Sequence, residues 1–183
     1  MIRWAWMLAV CLLVACSGSE LKESSETQKA PEVSPSDSST IDSAAVELVA
    51  RFYSEYAPRA IRSGLLALDS TLVETPGVFT PELLAALRRD AAARAAAAGY
   101  INGLDFEPFL NSQDPCEQYE LGAAEQVGAR IRVQVFAVCR GVRTSVPAVV
   151  VEVSRTVDGW AIGNLLFGPP ANDVLSLSRR LHP

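Results

Sequence analysis

The apolar residues of this chain keep a helical spacing through its first half and an alternating one through much of its second. That single change of period restricts the fold more than any other feature. Ala45, Leu48, Val49, Phe52, Tyr53 and Tyr56 fall at i, i+3, i+4, i+7, i+8 and i+11, one face of an amphipathic helix. Asp42 or Ser43 is placed to cap its start, and Pro58 to stop it. A second helix is signalled by Thr80 as N-cap, Pro81 at the first helical position, Glu82 in the first turn and Gly99 as C-cap. Leu83, Leu84 and Leu87 form its first apolar face, and beyond Asp90 it is mostly alanine, so it packs closely or lies exposed. From Arg130 the period becomes two: Ile131, Val133, Val135 and Ala137 alternate with Arg130, Arg132 and Gln134, as a half-buried antiparallel strand requires. Residues 146–153 are apolar on both faces apart from Glu152, which predicts a central strand. Asp158-Gly159 is a hairpin signal before a strand over 160–167. Gly168-Pro169-Pro170 breaks that strand, and Asn172 or Asp173 is placed to cap a short final helix carrying Leu175, Leu177 and Leu181. Helices followed by an antiparallel sheet make this an α+β chain.

Ahead of the first helix lie two segments of a different kind. Arg3 supplies a positive n-region and residues 4–15 an apolar stretch too short to span a bilayer, which needs about 20 residues. It ends in Leu13-Val14-Ala15-Cys16. This run resembles the lipobox of bacterial lipoproteins, in which a peptidase cuts before the cysteine that becomes N-terminus and lipid anchor. The resemblance implies a signal peptide over 1–15, a lipidated Cys16 and stable anchoring, since each buried methylene contributes about 0.8 kcal/mol. Ser17, standing where an aspartate would favour retention at the inner membrane, implies an outer-membrane address facing the periplasm. Residues 17–41 are rich in Ser, Glu, Thr, Pro, Lys and Asp and too poor in apolar side chains to offset the entropy of ordering. Together with Cys16 they read as a flexible tether with a reach of about 25–30 Å, leaving 42–183 as a single domain.

The chain carries a formal charge of −5, and only two of its sixteen cationic residues are lysines, Lys22 and Lys29. That balance argues against a nucleic-acid partner, which calls for clustered cations. Cys11 lies in the leader and Cys16 takes the lipid, so Cys116 and Cys139 are the thiols left to the domain. An exported compartment is oxidising, and an even pair there reads as a disulfide rather than as free buried thiols. Closing that loop contributes about 3 kcal/mol in the chain-entropy model. If Val127-Gly128 forms a two-residue turn, Cys116 lies opposite Cys139, but Tyr119 and Leu121 then share a face with Arg132 and Gln134. A three-residue turn repairs the faces and misplaces the cysteines by one. A bulge in the first strand, near Pro115 or Gly122, satisfies both requirements.

Three stretches carry a further resemblance: Phe79-Thr80-Pro81-Glu82-Leu83-Leu84, the segment from Leu104 to Asp114, and Trp160-Ala161-Ile162 after Asp158-Gly159. Within the middle one, Pro108-Phe109-Leu110-Asn111 and Gln113-Asp114 carry most of it. Here the chain resembles the domain-of-unknown-function 3828 family of bacterial exported proteins. The resemblance implies a cone-shaped, nuclear-transport-factor-2-like fold, a curved sheet wrapped around helices. Glu107 stands where the family has an aspartate before the proline, and Gly163-Asn164 where it continues with acidic residues. The family has no established activity to transfer.

The segment from Asp105 to Asp114 is the candidate site, with Asp105, Glu107, Phe109, Asn111, Gln113 and Asp114 as candidate ligand-binding residues. Its oxygens suit calcium, but the spacing is not that of a calcium loop and no metal or cofactor is assigned. The structural reading is that its polar side chains satisfy backbone groups while Phe106 and Phe109 plug the core. No nucleophile elbow or phosphate loop is present, and the lone histidine, His182, sits one residue from the end. The chain therefore reads as a binding or interaction module of the cell envelope, taking a small apolar ligand or another envelope protein. The alternative is a small acid–base enzyme. A binding module predicts a concave apolar pocket or an exposed apolar sheet face. An enzyme predicts polar groups converging in a closed cavity, and Asp105, Glu107 and Asn164 discriminate between the two.

Overall fold

Why the first helix outlasts its proline is answered by what each of its faces meets. In the computed structural model, which describes residues 41–97, 102–168 and 172–181 and the side chains of all these except 172–175, helix α1 spans Ser43–Ser63. Asp42 caps it, its carboxylate accepting from the Ala44 amide at 3.0 Å. The expected stop at Pro58 is overturned. Proline removes the amide that would bond the Ser54 carbonyl, yet Ser54 and Pro58 are both exposed, on the face where water can take the place of that amide. On the opposite face Ala57 and Ala60 continue the buried stripe. Gly64, at φ 55, ends the helix in a conformation costly for other residues. A helix not expected from the sequence, α2 (Leu65–Glu74), follows directly. After a 3-10 turn at Pro76–Val78, helix α3 (Pro81–Ala96) starts as expected, the Thr80 hydroxyl accepting from the Leu83 amide at 3.3 Å. The expected C-cap, Gly99, lies outside the described residues, as do the signal peptide, Cys16 and the tether up to residue 40.

The strands are β1 (Gln118–Val127), β2 (Arg130–Cys139), β3 (Val142–Arg143), β4 (Val149–Thr156), β5 (Gly159–Phe167) and β6 (Asn172–Ser176), with a one-turn helix α4 (Leu177–Arg180) at the end. Five of them form a curved antiparallel sheet in the order β1-β2-β4-β5-β6, and the short β3 pairs with β2. Helices first and sheet second is the α+β architecture expected. The final helix is shorter than expected: residues 172–176 pair with β5 instead, through Leu166 with Ser176 and Phe167 with Asn172. Both hairpin turns sit one residue from their expected places, at Gly128-Ala129 and Val157-Asp158, with Gly159 already paired to Thr156.

The core lies between α1–α3 and one face of the sheet. Val133, Val135, Val149, Val151, Val153, Ile162 and Leu165 meet Val49, Phe52, Tyr56, Leu68 and Leu87. On the other face, Glu152 is 3% exposed and accepts from Arg130 at 2.9 Å and Arg132 at 3.0 Å, both on the neighbouring strand. Its burial is tolerable because two charge-assisted bonds offset desolvation.

The bulge inferred in the first strand is present. Leu121 pairs with Val135 and Ala124 with Val133, so Gly122-Ala123 carries one extra residue. A Cβ at Gly122 would stand 2.4 Å from the Phe136 ring, which restricts this position to glycine. The bulge brings Tyr119 and Leu121 to the core face, opposite Ala137 and Val135. Cys116 and Cys139 form the disulfide, with Cα atoms 4.8 Å apart. We expect reduction, or a Cys116→Ser/Cys139→Ser pair, to lower stability by about 3 kcal/mol, read from urea unfolding with and without reductant. Unchanged midpoints would show that the crosslink contributes nothing.

Candidate functional site

The segment joining α3 to the sheet forms a strap against α1, and its two ends are held by different means. At the N-terminal end, Asp90 of α3, 7% exposed, accepts from the Leu104 amide at 2.8 Å and from Arg94 Nε at 2.8 Å. Arg94 also reaches Asp69 of α2 at 2.7 and 3.3 Å. Gly103, at φ 91, lets the backbone come this close, since a Cβ there would lie 2.4 Å from an Asp90 oxygen.

At the other end the strap turns back on itself, Glu107 and Ser112 exchanging backbone bonds of 3.0 and 3.3 Å. The Glu107 side chain, 3% exposed, folds into this turn and accepts from the amides of Phe109 at 3.3 Å and Leu110 at 2.6 Å. Two tyrosines three residues apart on the buried face of α1 complete the attachment. The Tyr56 hydroxyl donates to Glu107 Oε1, and the Tyr53 hydroxyl donates to the Phe109 carbonyl at 2.7 Å. Phe109 is fully buried among Phe52, Tyr56 and Phe79, with ring centroids 4.9–5.7 Å away.

Burial raises the Glu107 carboxyl to about 7, against the opposing pull of the Tyr56 hydroxyl and the Phe109 and Leu110 amides. Burial, reinforced by the charge of Glu107, pushes the Tyr53 and Tyr56 hydroxyls well above the ordinary tyrosine range. Burial also pushes Tyr119 up to about 12.

The structure divides the six candidate residues. Asp105, Glu107 and Gln113 border a surface cleft of about 540 Å³ whose apolar lining is Leu65, Leu104, Phe106 and Pro115, with Arg94 and Asn102 beside it. Gln113 donates to the Asp105 carbonyl at 3.2 Å and its carboxylate at 3.4 Å. A second cleft, of about 510 Å³, shares Asn102, Leu104, Asp105 and Phe106 from its far side. Phe109 is core. Asn111, in the left-handed region at φ 50, donates to the Ala148 carbonyl at 3.0 Å and borders a different depression. The Asp114 amide bonds the Ser112 hydroxyl at 3.0 Å, and Asp114 does not line the cleft bordered by Asp105, Glu107 and Gln113. Among the described residues no three His, Cys, Asp or Glu side chains are grouped to hold a metal ion.

Asp69, Asp90 and Arg94 were not singled out in the sequence. A signal for the last two was present, an Asp–Arg pair at i, i+4 in an otherwise alanine-rich helix. No family model, no curated protein and no solved structure matches this chain.

Tyr56→Phe should remove one of the groups that hold Glu107 ionised. We expect its carboxyl to titrate higher than in the parent chain and stability to fall by about 1–3 kcal/mol, followed by carbon-detected NMR of the carboxyl and by urea unfolding. A carboxyl that titrates unchanged would show that the Tyr56 contact has no electrostatic weight.

Proposed function

We propose that this chain is a lipid-anchored binding module of the cell envelope, held at the outer membrane through Cys16, with a ligand or partner seated in the cleft beside the strap. The observation that carries the reading is the cleft itself, concave and floored by Leu65, Leu104, Phe106 and Pro115, with polar groups at its margin. Its location on the segment marked out by residue chemistry supports the assignment. The Leu13-Val14-Ala15-Cys16 run and the polar stretch after it support the anchor. The Cys116–Cys139 disulfide fits an oxidising compartment outside the cytoplasm. The succession of helices and curved antiparallel sheet supports a nuclear-transport-factor-2-like arrangement of the kind the domain-of-unknown-function 3828 resemblance implies.

A ligand inside the cone has less support, because the space between α1 and the sheet is filled by Phe52, Tyr56, Phe79 and Phe109. The acid–base alternative is weakened in the same way. Asp105 is exposed and bonded to Gln113, Glu107 caps the strap, and Asn164 accepts from the Ser178 amide at 3.1 Å at the start of α4. Asp105 and Glu107 border the same open cleft but are bonded to Gln113 and to backbone amides, and Asn164 lies at a different depression, so the three do not converge in a closed cavity.

A photo-crosslinking amino acid placed at Leu65 or Gln113 should capture a partner in intact envelopes, whereas one at fully exposed Val157 should not. Equal capture at all three positions, or none at any, would sink the cleft assignment. Cys16→Ala should abolish incorporation of labelled fatty acid and release the protein from membranes. A variant still labelled and still membrane-bound would rule out the anchor.

A further inference from the structure

Glu107 is the carboxylate of the strap that lies almost wholly out of water, and the groups around it are hydroxyls and amides rather than cations. Its titratable neighbours are Tyr53 and Tyr56 of α1 and Tyr119 of β1, each of which feels its charge. Arg59, one turn beyond Tyr56, is occupied by Glu74 at 2.8 Å and Thr71 at 3.1 Å. Asp105, on the strap itself, is exposed and held by Gln113. Ionisation therefore places a negative charge in the seam between α1 and the strap with three hydrogen bonds and, among the described residues, no cation bonded to it, and such bonds offset only part of the lost hydration.

Protonation removes that cost. A carboxylic acid still accepts from the Phe109 and Leu110 amides and stays within reach of the Tyr56 hydroxyl, and although all three bonds are stronger to the carboxylate, burial outweighs them. The strap so held forms one wall of the cleft through Asp105, Phe106, Gln113 and Pro115, while Leu65 and Arg94 belong to the helices opposite.

We propose that Glu107 is a proton-operated latch on the cleft, holding the strap closed when protonated and letting it lift from α1 when ionised. The latch rests on the reading of the cleft as the binding site only for its regulatory meaning, since its action on the strap requires no ligand. The sign follows from linkage. Burial raises the carboxyl to about 7 in the closed state, whereas a lifted strap returns it to water and to its ordinary value of 4.5. The closed state thus binds the proton more tightly, is most favoured below about pH 4.5, loses ground as pH rises to about 7, and changes little beyond.

Amide hydrogen exchange of the full chain tests this without a ligand. After correction for intrinsic exchange, protection of the Phe109 and Leu110 amides should fall by roughly one to two orders of magnitude between about pH 5 and pH 8. The Val133 and Val151 amides of the central strands, which exchange through global opening, should stay far better protected than the strap amides at both pH values, and Glu107→Gln should flatten the strap's response. Protection that is the same at both pH values, or that falls equally in Glu107→Gln, would overturn the latch. If Glu107→Gln does not fold, the carboxyl titration of the parent chain decides instead: a midpoint near 7 supports the latch and an ordinary midpoint defeats it. Crosslinking through Gln113 at the two pH values separates the latch from the cleft assignment. Capture that changes with pH in the parent and not in Glu107→Gln supports regulation of the site, and pH-independent capture beside a moving strap refutes it. No capture at either pH sinks the cleft assignment alone, because exchange still decides the latch.

Discussion

The structure depends on the seating of the strap against the aromatic face of α1. Phe109 enters the cluster of Phe52, Tyr56 and Phe79 as a fully buried ring, and the two hydroxyls of the same helix, Tyr53 and Tyr56, bond the strap on either side of it. Burying an irregular segment leaves backbone donors and acceptors without water, and each must find a partner. Glu107 answers for two amides, Tyr53 for a carbonyl, and Asp90 for the amide of Leu104. Without those polar side chains the segment could not lie where it does, and the cleft beside it would lose a wall.

A second set of constraints acts on the sheet. The bulge at Gly122-Ala123 puts Tyr119 and Leu121 on the core face without moving the cysteines out of reach, and the disulfide ties the start of β1 to the end of β2. Gly163 is the extra residue where Glu152 pairs with Asn164 and Val153 with Ile162. Beside it the Thr80 amide bonds the Ile162 carbonyl at 2.9 Å, so the α3 cap and the sheet are joined at one point. Bulges bend and twist strands locally, which suits a sheet that curves over helices.

Much of this was legible in the residues. The α1 stripe, the Thr80-Pro81-Glu82 start of α3 and the alternation in β2 follow from period and capping chemistry, the cysteine pair from the count of thiols outside the leader, and the bulge from reconciling that pair with the faces of β1. Pro58 misled because its cost depends on whether the orphaned carbonyl faces water, a matter of orientation rather than identity. The turns shifted by one residue because a hairpin is set by register across both strands, and the flanking strands won over the local Asp158-Gly159 preference. Residues 172–176 joined β5 because an edge with free backbone groups was there to be paired, which no local propensity reports. In the site, Asp105, Glu107 and Gln113 were identifiable by their chemistry, but their division of labour was not. Glu107 serves the interior and Asp105 the surface although they are two residues apart.

By itself the sequence determined the order of helices and strands, the pairing of Cys116 with Cys139 and the segment where polar residues gather. Those are local or one-dimensional properties, set by spacing and side-chain type. Only the tertiary structure decided that Glu107 is buried among tyrosines, that Asp69, Asp90 and Arg94 anchor the strap, and that a cleft opens beside the strap while side chains fill the space between α1 and the sheet. The physical reason is that burial is a property of the whole packed chain. A carboxyl has the same intrinsic chemistry anywhere in a sequence, and its ionisation and its partners are set by what the fold brings around it.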